Sequence, residues 1–292
     1  MKKALVLSGG ANRGAFQVGV LKRWMAEQGR EYDIIVGNSV GAINAACLSQ
    51  TPLGKPELAI ERLEELWLTR VDNDQIYKRW FPFGRLHGLW LKSLYNSQPL
   101  VDLLSGIFDH ELAIKSGRTV AVGAVSLDTG ECKYVNQADE KFLKWIIASA
   151  SLPVFFAPVE IEGKLWSDGC IRSMAPIDQA VALGADEIDV IMTSDTQQMT
   201  PWKSISKKAI PDQIIRVITM MGNKGVLDDI ELLKLRNELG HNSHHIYRPV
   251  KINIAFHNDD INYNSLDFCP QTIEKLIKMG HDSTKVKTMV IE

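Results

Sequence analysis

The stretch that decides the fold is "YDIIVGNSVGAINAA", residues 32–46. Ile34, Ile35 and Val36 form an apolar run that reads as a strand and stops at Gly37. Ser39 then stands alone between Gly37 and Gly41, and the small residues Ala42, Ala45 and Ala46 follow at once. A strand that ends in Gly-X-Ser-X-Gly and turns directly into a helix is the nucleophile-elbow pattern. The glycines serve a turn so sharp that backbones approach too closely for side chains. The serine projects from the corner, where the helix N-terminus aims N–H groups and a positive dipole end. The same pattern also occurs as a plain strand–helix turn, so its surroundings have to discriminate.

Working outward, residues 3–8 read as a first strand and 14–29 as a helix, with a glycine loop between them. Residues 32–37 and 40–50 repeat that rhythm, which predicts an α/β fold: a three-layer sandwich with a largely parallel sheet between helices. Residues 57–70 are amphipathic, with Ile60, Leu63 and Trp67 at helical spacing. Residues 118–127 and 131–136 form a predicted hairpin around Asp128-Thr129-Gly130. A helix over 139–150, an extended stretch from Phe155 to Trp166, a helix near 176–183 and a strand over 186–193 follow. The last third shows a long helical pattern over 210–239, a strand at 250–256 and a helix near 271–281. No internal repeat or low-complexity linker interrupts the chain. The expected organisation is one domain, with a catalytic core over 4–195 and a segment over 196–292 completing it. The polar stretch 194–212 is the expected mobile loop.

The chain has 292 residues and a formal charge of −2, so no global field directs it to nucleic acid. Cys47, Cys132, Cys170 and Cys269 form no CxxC pair, and reduced thiols in a cytoplasmic setting are expected. Lys2-Lys3 precedes only four apolar residues, fewer than the ~7–15 of a signal peptide.

Acyl transfer also needs donors for a developing oxyanion. The stretch "LVLSGGANRGAF", residues 5–16, offers them: Gly9, Gly10 and Gly14 permit a loop whose N–H groups converge. A dinucleotide loop is the competing reading, but GxGxxG fails because position 11 is Ala. There is no Gly-Lys-Ser/Thr either, so a P-loop is excluded and no cofactor is expected. In "KLWSDGCIRSMAP", residues 164–176, Asp168 follows an extended apolar stretch and precedes Gly169, a pair that alone reads as a common turn.

Together these pieces resemble the patatin-like phospholipase family. Gly9-Gly10-Ala11-Asn12-Arg13-Gly14 is similar to its glycine-rich oxyanion segment, and Gly37-Asn38-Ser39-Val40-Gly41 to its nucleophile motif. Ala150-Ser151-Leu152-Pro153 with Phe155-Phe156-Ala157-Pro158 resembles a characteristic block of the family, and Asp168-Gly169 the start of its Asp-Gly-Gly/Ala motif. The matches run in family order over about residues 4–190, and two positions depart: Ala11 for a frequent glycine and Cys170 for the usual small residue. The resemblance implies a Ser39–Asp168 dyad working through an acyl-enzyme on a lipid acyl ester. It also implies an oxyanion hole from Gly9, Gly10, Ala11 and Val40, with Arg13 anchoring the loop or supporting the oxyanion.

Three alternatives stand beside it. A Ser–His–Asp triad could use His257, just after the strand at 250–256. A catalytically inactive lipid-binding module could keep the elbow as a turn. His241, His244 and His245 in "GHNSHH" could ligate a metal, but they have no acidic partner in helical register, so no metal is expected. The segment 76–95 carries Lys78, Arg79, Arg85 and Lys92 among six aromatic residues and no acid. It suits peripheral contact with a membrane surface or a lid over an acyl pocket, or else a buried helix pair with its basic ends in water.

Overall fold

The apolar runs that flank the glycines become adjacent strands. In the computed structural model, which describes residues 1–79, 92–194, 210–242, 250–257, 265–282 and 286–291, nine strands form one sheet. They are β1 (Lys3–Leu7), β2 (Ile34–Gly37), β3 (Thr119–Ser126), β4 (Cys132–Asn136), β5 (Val159–Ile161), β6 (Lys164–Asp168), β7 (Glu187–Met192), β8 (Lys251–His257) and β9 (Val286–Ile291). Their order is β5-β6-β3-β2-β1-β7-β8-β9, with β4 paired to β3. The central strands β3, β2, β1, β7 and β8 run parallel, and the antiparallel pairings lie toward the margins. Strands β8 and β9 extend the same sheet, so the last third of the chain shares its core.

Ten helices accompany the sheet among the described residues: α1 (Gly14–Leu21), α2 (Val40–Leu48), α3 (Pro56–Glu65), α4 (Asn73–Ile76), α5 (Gln98–Ile107), α6 (His110–Lys115), α7 (Phe142–Ser149), α8 (Ile177–Ala182), α9 (Ile210–Asn242) and α10 (Pro270–His281). Side chains alternate across a strand, so β1 divides its residues between two cores. Leu5 and Leu7 pack with α1, α2, α3, α5, α7 and α10, while Ala4 and Val6 pack with α8 and α9. This is the three-layer α/β sandwich that the sequence predicts.

Several local expectations need correction. The helix expected over 14–29 keeps α-helical turns only to Leu21 and continues in wider turns over Lys22–Glu27. The stretch from Phe155 to Trp166 is not one extended run: Glu162 (φ 55°) and Gly163 (φ 75°) reverse the chain into the β5–β6 hairpin. Helices α4, α5 and α6 and strand β9 were not expected, although α6 carries a readable cap, with the Leu112 N–H donating to Asp109 Oδ1 at 3.1 Å. Of the expected loop, 195–209 lies outside the described residues, and Ile210 already opens α9. Residues 80–91 of the basic aromatic segment also lie outside them.

One feature of the topology positions the site. Strand β4 occupies one edge of β3 along Ala121–Val125, so β2 and β6 must share the other edge. Strand β2 leaves that edge at Gly37, opposite Val122. Strand β6 arrives from the opposite direction and ends at Asp168, opposite Ala124. The two strand ends thus meet head to head, and Asp168 stands at the level that Ser39 reaches two residues after Gly37.

Candidate active site

Ser39 occupies the turn between β2 and α2 with φ 56° and ψ −127°, a conformation that costs a non-glycine residue roughly 1–3 kcal/mol. The flanking glycines are required by contact. A Cβ on Gly37 would stand 2.3 Å from the Gly41 carbonyl oxygen, and one on Gly41 2.2 Å from that of Leu7. The Ser39 N–H donates to Ser149 Oγ at 3.1 Å, which ties the corner to the end of α7. Ser39 itself is half-buried, and Val40 opens α2 directly behind it.

Asp168 is fully buried. Its Oδ1 accepts the Cys170 N–H at 2.8 Å. Loss of water pushes the carboxyl up from the ordinary 3.8 to about 6, and the Ser39 hydroxyl, the Cys170 N–H and the Cys170 thiol draw it partly back. Oδ2 accepts no hydrogen bond of full geometry. Ser39 and Asp168 line the same pocket, and the Ser39 hydroxyl is among the groups that favour the charged carboxylate. Of the apolar residues just before it, Trp166 is buried and packs edge-on to Trp145, whereas Leu165 is exposed.

The glycine loop leaves β1 beside this pair. Ala11 stands at φ 53°, where the family more often has glycine. Arg13 anchors the loop: its guanidinium donates to the carbonyls of Gly10 (3.4 Å) and Thr193 (3.3 Å) and to Ser265 Oγ (3.3 Å). Buried Asn12 donates through Nδ2 to the Asp267 carbonyl at 2.8 Å. Gly14 lies against Val40 and Trp67. The Gly9 N–H donates to the Met174 carbonyl at 2.9 Å, so it is spent on holding the loop and leaves the expected oxyanion set. Among the described residues, no acceptor takes the N–H of Gly10, Ala11 or Val40.

Gly10, Ala11, Val40, Ser39 and Asp168 all line one pocket, whose empty space is about 900 Å³ with its open mouth included. Its walls are largely aliphatic and aromatic, including Leu66, Trp67, Leu100, Phe156, Ile215 and Phe268, and it suits an acyl chain. Sequence reasoning missed these wall residues from α5, α9 and the 265–268 turn, because no local pattern marks which face of a helix meets a distant loop. Asn44 was also missed. It donates to Gln17 Oε1 at 2.8 Å and accepts from Trp67 Nε1 at 2.8 Å, locking α1, α2 and the pocket wall together.

The other sequence candidates lie elsewhere. His257 ends β8, and the pairing Gly37–Leu7–Ile191–Ala255 places it level with Ser39 but three strands away, about 14 Å at the usual spacing. His241 falls in the last turn of α9, and His244 and His245 lie outside the described residues. The four cysteines are free thiols. No described helix is long and apolar enough to cross a membrane.

Parallel α/β sheets that strain a serine at the end of a central strand, beside an acid, are a scaffold of ester hydrolases. The chain belongs to the patatin-like phospholipase family, whose model matches residues 5–181. It is 32% identical over 198 residues to the uncharacterized protein YjjU of Escherichia coli, covering 66% of this chain and 52% of that protein. It is 28% identical over 191 residues to the probable lipid hydrolase 463L of Invertebrate iridescent virus 6, covering 61% and 63%. To the lysophospholipase nte1 of Aspergillus terreus it is 27% identical over 208 residues, covering 68% of this chain and 12% of that one. The chain thus spans about half of YjjU and a small part of the lysophospholipase. Among solved structures, VipD from Legionella pneumophila aligns over 99% of this chain and 68% of its own, at 12% identity and a TM-score of 0.43.

Proposed function

We propose that the protein hydrolyses lipid acyl esters with Ser39 as nucleophile and Asp168 as general base. The observation that carries this is Asp168 itself: a carboxylate stripped of water, lifted to about 6, that shares one pocket with a strained serine. A solvated carboxylate near 3.9 is a weak base toward a hydroxyl, whereas this one gains basicity and is still ionised at neutral pH.

Ser39 Oγ attacks the ester carbonyl as Asp168 takes its proton. The carbonyl oxygen becomes an oxyanion held by the N–H groups of Gly10, Ala11 and Val40, where one such donor is typically worth ~2.7–4 kcal/mol. The ester C–O bond breaks, Asp168 returns the proton to the leaving alcohol, and the acyl group stays on Ser39. Water then gives a proton to Asp168 and attacks the acyl-enzyme, and Ser39 leaves with that proton. The apolar pocket holds the acyl chain, each buried methylene contributing about 0.8 kcal/mol. The lipid hydrolase and lysophospholipase among the relatives support the same substrate class. The lateral distance of β8 disfavours a triad through His257. By its sequence, the basic aromatic segment 76–95 is where a lipid surface would be met, through exposed Lys78, Arg79 and Lys92 and not through Ile76 and Tyr95, which are buried in the core.

The test is hydrolysis of a panel of acyl esters by the wild type, Ser39→Ala, Asp168→Asn and His257→Ala, with fluorophosphonate labelling of Ser39. The first two variants lose activity and His257→Ala keeps it. An active Asp168→Asn protein, or a wild type that is folded yet unlabelled, ends the proposal.

A further inference from the structure

The two N–H groups that the proposed mechanism draws from the glycine loop, those of Gly10 and Ala11, belong to peptide planes whose carbonyls are held in place. A trans peptide is planar, with its C=O and N–H pointing opposite ways, so whatever fixes the carbonyl also aims the amide. Arg13 does this for the Gly10–Ala11 plane: its Nε donates to the Gly10 carbonyl at 3.4 Å and its backbone N–H at 3.2 Å. Thr193 does it for the Gly9–Gly10 plane. Its hydroxyl donates to the Gly9 carbonyl, and its backbone N–H donates to Ser8 Oγ at 2.9 Å. Ser8 Oγ in turn lies 3.1 Å from the same carbonyl as a second donor. The approach is close because Gly10 has no side chain: a Cβ there would meet Thr193 Oγ1 and stand 2.7 Å from Thr193 Cβ. Thr193 is buried, follows β7 directly, and lies beyond residues 5–181 that the family model matches.

We propose that Thr193 is a positioning residue for the oxyanion hole: its hydroxyl holds the Gly9 carbonyl behind the loop and so aims the Gly10 N–H into the pocket. The inference rests on the acyl-ester reading given above. Gly10 is among the residues that line the pocket and Thr193 is not, so the carbonyl points away from the substrate and the amide toward it. The same residue reaches the planes on either side. Arg13 donates through Nη1 to the Thr193 carbonyl at 3.3 Å, so Thr193 also steadies the side chain that holds the next plane. The Gly9 N–H donates to the Met174 carbonyl at 2.9 Å, which fixes the plane before. Three successive planes thus have a set direction before substrate arrives, and a donor already oriented needs no reorganisation as charge develops. Thr193 touches no reacting atom. It acts on the reaction through the direction of the Gly10 N–H.

The experiment measures kcat and KM for acyl-ester hydrolysis in the wild type, Thr193→Ala, Thr193→Ser and Ser39→Ala, with thermal unfolding to confirm that each is folded. Both Thr193 variants lose the methyl group and only Thr193→Ala loses the hydroxyl, so the pair separates the hydrogen bond from packing under Gly10. Thr193→Ala lowers kcat roughly tenfold to thirtyfold and leaves KM within about twofold, the mark of an interaction made in the transition state. The loss stays below the roughly 10²–10³-fold of a whole missing donor, because Ser8 still reaches the carbonyl. Thr193→Ser keeps kcat within about threefold of the wild type. Should Thr193→Ala not fold, Thr193→Val keeps the volume without the hydroxyl and carries the same expectation. A folded variant that lacks the hydroxyl and keeps the wild-type kcat overturns the inference. So does an equal loss in Thr193→Ala and Thr193→Ser, or a loss carried by KM alone. Ser39→Ala separates the two levels: hydrolysis that survives there overturns the acyl-enzyme reading itself, whereas an inactive Ser39→Ala beside an unmoved Thr193→Ala overturns the part given to Thr193 alone.

Discussion

Asp168→Asn is expected to end hydrolysis and, above pH 6, to make the folded protein more stable. The folded carboxyl titrates at about 6 against an ordinary 3.8, because burial penalises its charged form. The unfolded chain releases that proton first as pH rises, so between about 4 and 6 the native state holds more protons and loses stability with increasing pH. Moving a carboxyl by this much is worth about 3 kcal/mol at 1.36 kcal/mol for each pH unit, an order-of-magnitude figure present in full above pH 6 and absent below pH 4. Asparagine has no such slope, and its amide oxygen can still accept the Cys170 N–H. Its own desolvation shifts the variant by an amount that does not depend on pH. The difference between variant and wild type in urea unfolding free energy should therefore climb by about 3 kcal/mol from pH 4 to pH 8. Other buried acids, Asp229 among them, are common to both proteins and cancel. A difference that stays flat across this range would show that Asp168 is not a desolvated carboxylate, and the case for it as the base would fall with it.

The rate of acyl-ester hydrolysis should rise with pH through a single ionisation near 6 and flatten above it, measured as kcat/KM, since the proposed mechanism needs Asp168 ionised. Ser39→Gly should abolish activity, as should Ser39→Ala, but exceed Ser39→Ala in stability by roughly 1 kcal/mol, because only glycine takes φ 56° without strain; equal unfolding midpoints would count against strain at the elbow. Gly41→Ala should fail to fold or lose several kcal/mol, about the scale of severe overpacking or more, since its Cβ would meet the Leu7 carbonyl 2.2 Å away; a native-like circular dichroism melt would refute the contact. Asp229, raised to about 7 by burial and by Asp178, makes the folded state lose stability as pH climbs toward 7, so Asp229→Asn should stabilise the protein above that pH, read by thermal unfolding.

The parts of the site that lie within a few residues of one another were legible in the sequence. Gly37, Ser39 and Gly41 announce the elbow because the constraint they satisfy is local: a turn too tight for a Cβ. Gly9, Gly10 and Gly14 announce the loop for the same reason. The sequence could not show that the Gly9 N–H is spent, since its acceptor, Met174, lies on the far side of the chain. Nor could it tell an Asp-Gly turn from a catalytic acid. Asp168 owes its character to burial, and burial comes from strands and helices brought from elsewhere, while its apolar sequence neighbour Leu165 is exposed. The β5–β6 reversal went unread because its turn uses Glu162 in a positive-φ conformation that no common turn dipeptide signals.

What joins the two halves of the site is the shared edge of β3. Two strands that ran the same way on that edge would set the end of β2 beside the start of β6, with Asp168 carried away from the serine. Because β6 is antiparallel to β3 while β2 is parallel, their ends converge, and the register sets Asp168 opposite Ala124 just where Gly37 has released the edge at Val122. A histidine between serine and acid is needed when the acid approaches from a distance. Here the ladder brings Asp168 to the level of Ser39, and on the proposed mechanism the base is strengthened where it stands. Removal from water raises its basicity, and the same burial that costs the fold stability above pH 6 would supply what the proposed nucleophile requires.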